Sequence, residues 1–226
     1  MLTSATVHPQ PPDRAPCVVP AEGLWNNGRE NRIMTDFIDH QGYRANVGIV
    51  LMNSRDQVFL GGRTGGRGWQ FPQGGIRRDE ELTDALYREL TEEIGLGRDD
   101  VSVLGSTTNW LHYRLPERYV RRGTQPLCIG QKQRWFLLRM AHEHDRFRFD
   151  TTDQPEFESW RWAEYWDPVR EVIYFKRRVY TRALHELGRQ AFPQGLPPYP
   201  EWWGSHGEEG PERPPAALAP GTGANR

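Results

Sequence analysis

Residues Gly74–Leu96 read GGIRRDEELTDALYRELTEEIGL, and the rest of the chain is arranged around them. Paired glycines, Gly74 and Gly75, open the stretch and a helical pattern follows. Gly95 is placed as the residue that turns the chain out in a left-handed conformation. Glu89, Glu92 and Glu93 stand at i, i+3 and i+4, so a helix sets all their carboxylates on one face. At about 100° per residue, the apolar stripe of Leu82, Leu86, Leu90 and Ile94 borders and overlaps that face. A solvated helix would put its acids opposite the stripe.

Carboxylates crowded in this way repel one another unless a positive charge sits between them. Mg²⁺ and Mn²⁺ take oxygen ligands and bridge protein carboxylates to substrate phosphates, which is one reading of the cluster. The other is an acidic helix end with surface ion pairs to Arg88, worth ~0–1 kcal/mol each. Carboxylate spacing alone leaves both open.

The whole stretch narrows the choice. It fits G-x5-E-x7-R-E-U-x-E-E-x-G-U, with U a bulky aliphatic, at Gly74, Glu80, Arg88, Glu89, Leu90, Glu92, Glu93, Gly95 and Leu96. In this the chain resembles the Nudix hydrolases. The resemblance implies metal-assisted hydrolysis of a nucleoside diphosphate linked to another moiety. It also implies an α/β/α sandwich with a mixed sheet between helices, an α+β architecture.

The 226 residues suit one domain with tails, and nine Trp, nine Phe and eight Tyr allow an aromatic core. A formal net charge of −1 excludes bulk electrostatic attraction to nucleic acid, so any such contact needs a local basic patch. Two cysteines, Cys17 and Cys128, form neither a disulfide framework nor a zinc motif, and a reducing cytoplasm is the expected setting. No apolar run reaches the ~18 residues of a membrane span, and the N-terminus lacks the regions of a secretory signal.

Residues 1–33 are proline-rich and aperiodic, and are expected to be a disordered extension. Met34 opens a segment that reads as a natural start, so the domain is placed at 34–192. Tyr43–Met52 and Gln57–Gly62 read as strands joined by a hairpin turn, and Trp69–Phe71 as a short strand before the glycine pair. Strands are also expected over Val101–Gly105, Thr107–Tyr113, Cys128–Met140 and Phe157–Ala163. Asp167-Pro168 reads as an N-cap with proline at the first helical position, and a last helix spans Tyr174–Leu187 with Gly188 closing it. Residues 193–226 are again proline-rich and are expected to be a disordered tail in which Trp202-Trp203 is a stray aromatic pair.

Segments outside the helix refine the resemblance. GYRANVGIV (42–50), WQFPQGG (69–75), NWLHYRLP (109–116), CIGQKQRWFLL (128–138), PEF (155–157) and YWDPVREVIYFKR (165–177) closely resemble the bacterial RNA pyrophosphohydrolases, a subfamily grouped with the dinucleoside polyphosphate hydrolases. That resemblance implies removal of pyrophosphate from 5′-triphosphate RNA, or action on 5′-diphosphate ends, leaving a monophosphate that opens the transcript to decay. Hydrolysis of dinucleoside tetra- or pentaphosphates is the alternative. The family implies Mg²⁺ or Mn²⁺ held by Glu89, Glu92, Glu93, the Gly74 carbonyl and Glu156, with one box glutamate, for which Glu89 is favoured, as base. Glu80 and Arg88 read as a structural ion pair. For substrate it implies Arg44, Arg63 and a wall of Ile173, Phe175 and Lys176, with Gln131 and Lys132 added on the phosphate side. Arg114, Arg118, Arg121 and Arg122 form a basic loop that either extends an RNA track or is plain solvated surface. Two positions depart from relatives: Ala45 replaces a frequent proline, and Gly62 a second arginine, for which Arg67 is the nearest compensation.

Overall fold

In the computed structural model, residues 37–142 and 147–205 are described, and a long parallel strand pair organises them. β1 (Tyr43–Met52) and β7 (Gly130–Met140) pair in register from Tyr43↔Gly130 to Met52↔Arg139. Around this pair the sheet is otherwise antiparallel. β2 (Val58–Arg63) lies between β3 (Trp69–Gln70) and β8 (Phe157–Ala163), β4 (Gln73–Gly75) joins β1, and β5 (Val101–Ser106) and β6 (Leu111–Arg114) join β7. The mixed α+β sheet expected from sequence is present.

Both central strands are buried on each side, and alternation divides their side chains between two cores. Ala45, Val47, Ile49 and Leu51 of β1, with Phe136 and Leu138 of β7, meet Ala85, Leu86, Leu90 and Ile94 of helix α1 (Leu82–Ile94). Val50, Met52, Trp135 and Leu137 face the other way. They meet α2 (Asp167–Glu171) and α3 (Arg177–Ala191) through Val169, Val179, Tyr180, Ala183, Leu184 and Leu187. Helices on both faces of one sheet give the sandwich.

Several details differ from expectation. The β1–β2 turn is a tight Asx turn, with Asn53 Oδ1 accepting from the amides of Arg55 and Gln57, yet the strands pair only at Met52↔Val58. They splay because β4 takes the next place beside β1. β6 starts at Leu111 and not at Thr107, whose hydroxyl accepts from the Trp135 amide and ends the preceding strand pairing. Asp167 is the first residue of α2, with Trp166 as its N-cap. Tyr174–Lys176 form a 3₁₀ turn before α3, and that helix runs on through Gly188 to Ala191. Gly188 does not end it; a Cβ there would collide with Tyr165 and Leu196, so the glycine lets those side chains approach.

The segment after α3 is also more than a tail. Trp166 is ringed by His185, Tyr199 and Trp203 at centroid distances of 5.0, 5.1 and 5.0 Å. Its indole N–H donates to the Pro197 carbonyl at 3.0 Å, and Trp202 stacks under Arg170. Trp202-Trp203 are thus packed onto the core and are not stray. The expected N-terminal extension, the Met34 start and residues 206–226 lie outside the described residues. Among the described residues no helix is long and apolar enough to cross a membrane.

Candidate active site

Helix α1 begins after a loop that Arg88 closes. Arg88 donates to Glu80 at 2.7 and 2.8 Å, to the Gly75 carbonyl at 2.7 Å, to Glu89 at 2.6 Å and to Glu92 at 3.4 Å. Glu80 also accepts from the Arg77 amide at 2.8 Å. The hydrogen bonds from Arg88 hold the Glu80 carboxyl below its usual range. Glu80 and Arg88 therefore shape the loop, as a structural pair should.

Of the three box carboxylates, Glu89 is buried at 6% exposure, whereas Glu92 and Glu93 are partly covered. Glu89 lies directly under Gly74, where a Cβ would overlap its carboxylate, so only glycine lets strand β4 cross the helix this closely. Glu93 accepts from the Gln73 amide at 2.9 Å. Burial, followed by the charges of Glu89 and Glu156, raises the Glu93 carboxyl well above the ordinary range. Among the described residues these side chains do not form a ready-made metal cage, and Arg88 pairs with Glu89 and Glu92. The chemistry of the donor set still suits a hard cation. Glu93 is buried beside the charges of Glu89 and Glu156, and a divalent ion set among these oxygens would offset that crowding of negative charge.

Glu156, just before β8, comes from a distant part of the chain. Arg63 donates to it at 3.0 and 2.9 Å and Gln70 at 3.2 Å. Lys176 is buried at 8% exposure, with its ammonium 3.4 Å from Gln70 Oε1. Burial, then the neighbouring charge of Arg63, pulls the Lys176 pKa down to about 8, against the opposing pull of Glu156 and Glu93. Lys176 is thus buried beside Gln70, with its ammonium 5.7 Å from the Tyr113 ring, whereas Ile173 is exposed.

Arg44 and Gln131 are neighbours in the β1–β7 register and share the α3 side of the sheet with Gln133. The side-chain oxygens of Gln131 and Gln133 are buried without a donor, a cost of ~1–3 kcal/mol each that a ligand or water can remove. Lys132 does not join them. Alternation places it on the α1 side, where Asp39 accepts from its ammonium at 2.8 Å and the rings of Phe37 and Trp110 lie 5.3 Å away. A Cβ at Gly62 would meet the Ser159 hydroxyl, which would have to turn away. Arg67, the expected compensation, donates to the Thr64 carbonyl of its own loop.

Phe175 belongs to an aromatic wall whose other members had no role in the sequence reading. Its ring lies 5.8 Å from Tyr113, 5.3 Å from Tyr119 and 5.4 Å from Tyr174. Gln70 and Gln73 were missed too, although both stand in the quoted WQFPQGG. Tyr113 had a signal in the buried–exposed alternation of LHYR, but nothing local places it against Phe175.

A NUDIX domain is matched over residues 42–184. The RNA pyrophosphohydrolase of Alkalilimnicola ehrlichii is 55% identical over 163 residues, which cover 72% of this chain and 90% of that protein. The RNA pyrophosphohydrolase of Pseudomonas putida is 58% identical over 150 residues, covering 66% and 94%. In architecture the chain is similar to the E. coli dihydroneopterin triphosphate pyrophosphohydrolase, with a TM-score of 0.50 at 15% identity over 61% of this chain and 92% of that one, a likeness of fold alone.

Proposed function

The chain belongs to the Nudix family, a family of typically divalent-metal-dependent hydrolases, and from that premise we propose that it is an RNA 5′-pyrophosphohydrolase. The observation that carries this reading is identity of 55–58% over nearly the full length of relatives bearing that name. It acts on 5′-triphosphate or 5′-diphosphate RNA and leaves a 5′-monophosphate.

Glu89, Glu92, Glu93 and Glu156, with the Gly74 carbonyl, are the groups that would hold Mg²⁺ or Mn²⁺. When bound, such ions neutralise charge on the phosphate oxygens and make water more acidic. The chain's own part is to position and to move a proton. Water attacks a phosphorus of the 5′ polyphosphate, the anhydride P–O bond breaks, and pyrophosphate departs from a triphosphate end. The water proton passes to a carboxylate of the cluster, with Glu89 beneath Gly74 as first candidate. Arg44 and Arg63 grip phosphate oxygens, and Gln131 offers its amide beside Arg44. Phe175, backed by Tyr113, receives an unpaired base. Arg63 is the guanidinium that both pairs with Glu156 and faces phosphate, and so it couples the two halves of the site.

The test compares 5′-triphosphate RNA with diadenosine tetraphosphate in Mg²⁺. Pyrophosphate and monophosphate RNA are expected as products. Efficient turnover of the dinucleotide with the RNA left almost intact would overturn the reading in favour of a dinucleoside polyphosphate hydrolase.

A further inference from the structure

The aromatic wall continues past Phe175 onto residues with no part in the phosphate chemistry. Tyr119 and Tyr174 touch Phe175 from two segments, with ring planes at 49° and 88° to it. Both stay open to solvent, at 42% and 48% exposure. Arg118 ties them together. Its guanidinium lies 5.1 Å from the Tyr119 ring and 5.7 Å from the Tyr174 ring, and it donates to the Tyr174 hydroxyl at 3.3 Å. Exposed rings held in place by an arginine present both a flat apolar surface and a cation.

That combination suits single-stranded nucleic acid, where bases stack on rings and backbone phosphates meet arginine. Three observations favour RNA over a protein partner. The shelf is continuous with Phe175, the candidate base-binding ring. The basic segment that supplies Arg118 also exposes Arg114 and Arg121. The single acid of the adjoining 3₁₀ turn, Glu117, is already within 3.6 Å of Arg122, which leaves the shelf's own charge positive.

We propose that Tyr119, Tyr174 and Arg118 form a second stacking site that receives a base at the third position or beyond, downstream of the nucleotide held at Phe175. The proposal rests on the RNA reading of the active site and adds to it a set of residues that acts on the body of the strand. On this reading a two-nucleotide RNA places no base on the shelf, and longer unpaired RNA gains one further stacking contact.

The experiment measures kcat/KM by pyrophosphate release from unstructured 5′-triphosphorylated RNAs of two and five nucleotides, in Mg²⁺, with the full chain. The wild type should favour the longer RNA by about tenfold, as expected for one stacked base. Tyr119→Ser/Tyr174→Ser should reduce that ratio to about one, while Tyr174→Phe, which keeps the ring, should retain it. A wild-type ratio of one, or an unchanged ratio in the double variant, overturns the second site. If the double variant also fails on the two-nucleotide RNA, Arg118→Gln decides: a lowered ratio supports the site and an unchanged one overturns it. Failure of the wild type to act on either RNA overturns the underlying RNA reading, a different result from equal activity on both.

Discussion

The glutamate cluster and the aromatic wall are built on opposite principles. Around α1, Glu80, Glu89 and Glu92 share one guanidinium, and Arg63 and Gln70 hold Glu156. Their positions are fixed by directional, charge-assisted bonds. The wall of Tyr113, Tyr119, Tyr174 and Phe175 is held mainly by ring contact, and much of it stays in water. Chemistry on phosphate tolerates little displacement, whereas stacking tolerates any base and some sliding. The difference in construction follows the difference in task, and substitutions in the two regions should fail in different ways.

The largest effect should come from the charged side. Glu92→Gln should lower kcat by about 10²–10⁴-fold with the circular dichroism spectrum unchanged, since it removes one oxygen charge from the cluster. Near-normal turnover would separate the cluster from the chemistry altogether. Arg88→Met should be the most destabilising change in this region. It strands Glu80, Glu89 and Glu92 without their shared cation, at a cost of about 3–5 kcal/mol by urea unfolding. If Arg88→Met melted like the wild type, the idea that charge holds this half would be wrong.

On the aromatic side the effect should be smaller and confined to substrate. Phe175→Ala should cost about tenfold in kcat/KM for RNA, mostly through KM. A comparable loss in kcat would tie the wall to the chemistry. The smallest effect is in pH dependence. Glu80 is depressed below its unfolded value of 4.5, chiefly by the hydrogen bonds from Arg88. Its stabilisation is therefore complete above pH 4.5 and is lost as pH falls through the lower folded value. Glu80→Gln should be less stable at neutral pH and show a flatter acid limb in urea midpoints. An acid limb parallel to the wild type's would deny Glu80 that role.

The same contrast explains what could be read from the chain in order. The Gly74–Leu96 stretch was legible because its parts sit within one helix and the turn before it, where fixed spacing fixes position. Strand β8 at Phe157–Ala163 and the C-cap at Gly95, with φ of 74°, were read for similar local reasons. Lys132 was misplaced because its neighbours in GQKQ suggested one surface, while strand alternation sends it to Asp39 on the other face. Tyr113 and Tyr119 of the wall were invisible, since they come from β6 and a separate 3₁₀ turn, whereas Tyr174 is the sequence neighbour of Phe175 and was passed over. Trp202-Trp203 looked stray for the same reason, because its partners Trp166 and His185 are distant in sequence.

The parallel pairing of β1 with β7 has a consequence for how the protein comes into being. Tyr43 has to meet Gly130, and Met52 to meet Arg139, before the sheet has a centre. Every residue of the catalytic stretch leaves the ribosome earlier than β7 does. During synthesis α1 has only β1 and its early neighbours to pack on, with Leu86, Leu90 and Ile94 lacking Phe136 and Leu138 of β7. Contacts so far apart in sequence make folding slow, and the early segments stay exposed while they wait. The nascent chain thus carries its active-site sequence for some time before it can possess an active site.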